Sequence, residues 1–151
     1  MQHKRINISL IKDKVNDIEE SLTALTNYAK QDDEAFLTNK EAIRAARYSF
    51  IVLIEAATNI ANHLCSRLLN KAPDTYAEAF LLLGEHRIIK MELAQRLAQM
   101  AKFRNLLVHG YAKVDDKKML KSMREDLTDI KELLKEIGRI IMEQQVEKND
   151  G

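Results

Sequence analysis

Residues 102 to 111 read KFRNLLVHGY and place Arg104, Asn105, His109 and Tyr111 within eight positions, at the end of a long helical pattern. A histidine titrates near neutrality and can move a proton, and a guanidinium presents paired donors to the non-bridging oxygens of a phosphate. Together they suit attack of an RNA 2′-hydroxyl on the neighbouring phosphate, which needs a proton shuttle and a fixed cation but no metal. Asn105 can hold the phosphate or orient the imidazole, and Tyr111 can stack on a base or donate a hydrogen bond. A plainer explanation competes. A histidine before a helix-ending glycine often bonds the last carbonyls, an arginine in the last turn complements the helix dipole, and a tyrosine in the next loop often packs.

Geometry sets a condition on the catalytic reading. Five residues of continuous helix turn through about 500°, so Arg104 and His109 would point about 140° apart and could not share one small ligand. The helix must loosen for them to converge, and Gly110 can turn the chain just after His109 by adopting a left-handed conformation. The negative end of the helix dipole there favours the protonated imidazole. A second polar set lies on the segment IEAATNIANHL: Glu55, Asn59 and Asn62, at steps of four and three, fall on one helix face among apolar neighbours. Their expected use is a buried hydrogen-bond network between helices or across a dimer, and orientation of the motif by Glu55 or Asn59 is compatible with it. His63 and Cys65 read as core or interface residues rather than ligands.

The elements that must position these side chains are helices. One proline and four glycines in 151 residues, with 46% hydrophobic and 31% charged, point to long helices joined by few turns. Ile8, Ile11, Val15, Ile18, Leu22 and Leu25 predict a helix from about 6 to 30, broken by acidic QDDEAF. Thr38 or Asn39 caps a second helix, apolar on nearly every side in its latter half and therefore central. Pro73, Asp74 and Thr75 mark a turn and a new cap before the short run YAEAFLLLG, which Gly84 is expected to end. A fourth helix begins near Ile88 and carries the motif at its C-terminal end. Leu120, Met123, Leu127, Ile130, Leu134, Ile137 and Ile141 trace a last helix, with a polar tail expected to fray from about 146. The expected fold is all-α, an up-and-down bundle of four long helices plus one short helix, in a single domain over 1–151.

Several functions are excluded or disfavoured. Gly84, Gly110, Gly138 and Gly151 cannot make a phosphate-cradling glycine loop. His3, His63, His86 and His109 are scattered, with no Glu-x-x-His pair, so no required metal is expected and no cofactor. Cys65 is the single cysteine, which fits a reducing cytoplasm, and MQHKRINISL has no export signal. The weakly charged stretch from 48 to 66 contains Glu55, Asn59, Asn62 and His63, so a central helix or subunit interface is expected there, not a membrane span. Between His86 and Lys118 eight Lys/Arg face three acids, a local positive excess around the motif.

Arg104-x4-His109-x-Tyr111, preceded by IEAATNIANHL and followed by an amphipathic last helix, resembles the Arg-x4-His-x-Tyr signature of the HEPN superfamily, in its HepT-like toxin branch. The resemblance covers nearly the whole chain; Gly110 departs from it, since members often carry a larger side chain there. It implies a small α-helical homodimer acting as a metal-independent ribonuclease, with the motifs of two subunits facing one cleft. By that likeness Arg104 would stabilise the phosphorane, His109 would act as acid or base, and Asn105 would assist; Glu55, Asn59 and Asn62, from their shared helix face, are expected in support. It also implies a minimal nucleotidyltransferase antitoxin that silences the toxin by AMPylation of Tyr111. The expected function is therefore the endoribonuclease toxin of a toxin-antitoxin pair, cytoplasmic and cleaving RNA. Two competitors are a non-catalytic HEPN module binding a nucleotide or a nucleotidyltransferase partner, and a purely structural helical adaptor.

Overall fold

A computed structural model describes residues 6–109 and 115–150, with side chains of the last helix described through 146. Seven helices and no strand occur among the described residues. The first, α1 (Ile8–Ala29), is N-capped by Asn7, whose side chain accepts from the Leu10 N–H at 3.1 Å, and it buries Ile11, Ile18, Leu22 and Leu25 along one stripe. The acidic break that follows itself contains a short helix, α2 (Asp33–Leu37). Asp33 and Glu34 in its first turn complement the helix dipole, and it exists to bury Phe36.

The central helix is α3 (Lys40–Leu69), and of the two possible caps Asn39 is the one used, accepting from the Ala42 N–H at 3.1 Å. It ends at Asn70, whose left-handed φ of 53° suits an asparagine C-cap. Helix α3 packs on α1, α2, α4 (Tyr76–Glu85) and α5 (Met91–His109) and buries Phe50, Leu53, Ile54, Ile60 and Leu64.

Thr75 caps α4 (Tyr76–Glu85), accepting from the Glu78 N–H at 3.1 Å while Glu78 accepts from the Asp74 N–H at 2.8 Å. Gly84 does not end this helix. It lies inside it, buried, because α4 crosses α5 so closely there that a Cβ would stand 2.6 Å from the Ala94 Cβ. The turn comes three residues later, at Arg87 with φ 59°, and the Ile88 N–H closes it on the Leu83 carbonyl at 2.9 Å. That closure delays α5 (Met91–His109) past the expected start at Ile88. Gly84→Ala is expected to destabilise the fold by about 1–3 kcal/mol through overpacking, outweighing alanine's better helix propensity. A drop of several degrees in Tm would register it, and an unchanged Tm would mean that α4 and α5 can spread apart.

The expected last helix is two. Asp115 caps α6 (Asp116–Glu125), accepting from the Lys117 and Lys118 N–H groups at 2.9 and 3.3 Å. The chain then bends at Asp126 into α7 (Leu127–Asp150). The bend lets Met119, Leu120 and Met123 bury against α1 while Ile130, Leu133, Ile137 and Ile140 bury along α7, which packs on both α5 and α1. Arg124 anchors the joint by donating to the Ala29 and Gln31 carbonyls and to Asp33. The backbone of α7 is helical to Asp150. The long helices α1, α3, α5 and α7 form the all-α bundle, with α2, α4 and α6 as shorter additions. No described helix is long and apolar enough to cross a membrane.

Candidate active site

Arg104 sits in the second-last turn of α5, where three helices hold its guanidinium. Its Nε donates to the Glu55 Oε1 on α3 at 3.2 Å, and its Nη2 donates to the same oxygen in the closest contact of the site. Its Nη1 reaches the Asn105 Oδ1 at 3.4 Å, and its Cζ lies 5.0 Å from the centroid of the Tyr76 ring on α4. The Arg104 side chain is 17% accessible and that of Glu55 39%, so one edge of the pair meets solvent. A guanidinium has five N–H donors, and this arrangement leaves some of those on Nη1 and Nη2 for a ligand.

His109 is exposed at the end of the described part of α5, as are Lys102 and Asn105. Helix α5 is unbroken from Arg104 to His109, so the loosening that would bring them together does not occur between them. Within one chain their side chains leave the axis about 140° apart. Gly110 and Tyr111 lie outside the described residues.

Of the second polar set, Glu55 meets the motif. Asn59 is exposed and Asn62 half-buried, one and two turns further along α3. They are not an interior network of this bundle. With Tyr48, which is 70% exposed, and half-buried Val52 they form a stripe at 48, 52, 55, 59 and 62 on one face of α3, touched by α5 at Glu55 and open to solvent at Tyr48 and Asn59. Leu106 on α5, 51% exposed, adds apolar surface near Arg104 in sequence.

Among the described residues the positive excess is smaller in space than in sequence. Arg96 turns to α7, donating to Asp129 at 2.8 Å and Glu132 at 3.1 Å, which leaves Lys102 and Arg104 as the cations facing the cavity beside Tyr76. Tyr76 itself was not anticipated. It follows the Thr75 cap directly, and no spacing rule links it to α5, since only the packing of α4 on α5 brings it under Arg104.

His63 and Cys65 are structural. The Asn7 N–H donates to the His63 Nε2 at 2.8 Å, joining α3 to the start of α1. Burial chiefly, and the nearby Arg67 charge, hold its pKa below the ordinary 6.5. The folded state thus prefers neutral imidazole, and as pH falls below about 6.5 the unfolded chain takes up the proton first. Stability should be full above that value and decline as pH falls toward the lowered folded pKa. Urea midpoints from pH 7.5 to 5 should fall more steeply for wild type than for His63→Gln; parallel profiles would refute the assignment. Burial foremost, then Glu78, pushes the Cys65 thiol up to about 11, and its Sγ donates to the Ala79 carbonyl at 3.4 Å.

Residues 18–137 match the sequence profile of the HepT-like ribonucleases. The chain belongs to that family. It is 38% identical over 64 residues to the tRNA nuclease HepT of Aphanizomenon flos-aquae, a match covering 42% of this chain and 44% of that protein. The chain spans about half the length of the curated relatives it matches. Its fold is that of the tri-AMPylated HEPN toxin of Shewanella oneidensis, solved in complex with its MNT antitoxin, at a TM-score of 0.80 and 21% identity, covering 86% of this chain and 97% of the toxin. The cytosolic protein YutE of Bacillus subtilis shares it at a TM-score of 0.78 and 16% identity, covering 93% of each chain. This HepT-like chain therefore has the HEPN fold, with Arg104 and His109 on one continuous helix.

Proposed function

We propose that this HepT-like protein is the toxin of a toxin-antitoxin pair, a metal-independent endoribonuclease acting in the cytoplasm. The observation that carries the reading is Arg104, clamped by Glu55 over Tyr76 yet open on one edge, on the same helix as exposed His109. The active unit is a homodimer in which the stripe of Tyr48, Val52, Glu55, Asn59 and Asn62 faces a second copy, so that Arg104 of each subunit works with His109 of the other.

The reaction follows from the donors. His109 as base takes the proton of an RNA 2′-hydroxyl, whose oxygen bonds to the adjacent phosphorus. Arg104 meets the charge that develops on the non-bridging oxygens. The bond from phosphorus to the 5′-oxygen breaks, and that oxygen leaves with a proton from a protonated His109. The products are a 2′,3′-cyclic phosphate and a free 5′-hydroxyl. Glu55 keeps the guanidinium aimed, and Asn105 assists at the phosphate.

Neutralisation falls to a nucleotidyltransferase antitoxin that adds AMP to Tyr111. The support is the place of Tyr111 in the motif and the AMPylated state of the Shewanella toxin. Adenylate there would bring bulk and negative charge to the position an RNA phosphate must occupy. The test is cleavage of a cellular RNA pool in excess EDTA by protein whose intact mass shows unmodified Tyr111, before and after treatment with such a transferase and ATP. Cleavage that survives chelation and stops on AMP addition is expected. No cleavage by a folded dimer that still binds RNA would replace the enzyme with a binding module.

A further inference from the structure

Beside Arg104 a cavity of about 450 Å³ opens between the first turn of α4 and the last turns of α5. Thr75, Tyr76 and Ala77 line one side, and Lys102, Arg104 and Asn105 line the other, with no acidic side chain among the described residues of the lining. Its size is in the range of sites that hold small ligands, about 300–1,000 Å³. The chemistry of the walls is that of a nucleotide site. Tyr76 offers an aromatic surface backed by a guanidinium, Lys102 and Arg104 offer phosphate donors, and Asn105 offers an amide to a base edge.

We propose that this cavity is the subsite for the nucleotide flanking the scissile phosphate, with its base stacked against Tyr76 and its own phosphate on Lys102. The inference rests on the ribonuclease reading for the phosphate at Arg104, and it assigns Tyr76 as a specificity-determining residue. Stacking tolerates every base, because each has a π-face, so the subsite selects unpaired strand over duplex rather than one sequence. A paired base is already stacked between its neighbours and cannot enter.

Equilibrium binding separates this subsite from the chemistry. The probes are a single-stranded 2′-O-methyl octanucleotide, which cannot be cleaved, and the same backbone without bases. Tyr76→Leu should weaken binding of the base-bearing strand about ten- to hundredfold and of the abasic strand less than twofold, whereas Tyr76→Phe should stay within twofold on both. Equal losses on the two strands, or none on either, would overturn the stacking role. Should Tyr76→Leu not fold, wild type irradiated with a 5-iodouridine strand must crosslink at Tyr76; crosslinks confined to other peptides would refute the site. Displacement of the octanucleotide by micromolar AMP would overturn it in favour of a free-nucleotide site. Because these are binding measurements, absent RNA cleavage with intact Tyr76-dependent binding would defeat the nuclease reading while leaving base stacking on Tyr76 in place.

Discussion

His109→Ala should lower the rate of RNA cleavage in excess EDTA by about 10²–10⁴-fold, the loss typical of removing a proton-transfer group. Arg104→Ala should cost about 10²–10³-fold, as removal of one preorganised donor to a developing oxyanion does. Both losses should appear in kcat under saturating RNA, because His109 moves a proton only as the reaction proceeds and Arg104 meets the additional negative charge that the phosphorane places on the non-bridging oxygens. His109 is exposed, so its truncation should leave the thermal unfolding curve in place. Arg104→Ala strands Glu55, but at 39% exposure that carboxylate can turn to water, so the fold should survive. Arg104→Lys makes the argument sharper. Lysine keeps the charge but loses the planar fork that serves Glu55 and Asn105 and, in the proposed reaction, a phosphate as well, so it should recover little activity. Rates within threefold of wild type for both alanine variants would remove the motif from the chemistry.

The helical plan was legible because its determinants are local. Apolar residues at three- and four-residue steps located α1, α3, α5 and α7, and Asn39 and Thr75 cap where small polar residues precede an apolar run. The misplaced details depend on the tertiary fold. Gly84 looks like a helix stop, yet it is glycine because Ala94 of another helix passes against it. Asp126 carries no proline or glycine signal, and the bend there is explained by which helices the two flanking stripes meet. The site divides in the same way. Arg104, Asn105 and His109 are a sequence cluster and could be singled out, and Glu55 was visible as a charge on an otherwise apolar segment. Tyr76, 28 positions before Arg104, becomes part of the site only through the packing of α4 on α5. The polar stripe on α3 was legible as an unusual face, but sequence does not record whether another helix or another subunit covers it.

Mixing two inactive variants should restore activity. Helix α5 runs without interruption through both motif residues, so within one subunit Arg104 and His109 diverge by about 140°. If each site takes its arginine from one subunit and its histidine from the other, a dimer of Arg104→Ala with His109→Ala retains one intact pairing and one doubly broken one. Random reassortment makes half the dimers mixed, so about a quarter of wild-type activity should return. Sites built within one chain give the opposite result, since every subunit in the mixture then lacks one member of its pair. Reassortment requires the dimer to dissociate, so the two variants are best co-expressed with different tags and the doubly tagged dimer purified, where about half of wild-type activity is expected. The α3 stripe gives an independent control. Tyr48→Glu places a like charge against its symmetry mate or near Glu55 of the partner and should lower both the dimer population and the recovered activity together. Restoration that survives as monomer, or no restoration in a purified mixed dimer, would show that the pairing across subunits is wrong.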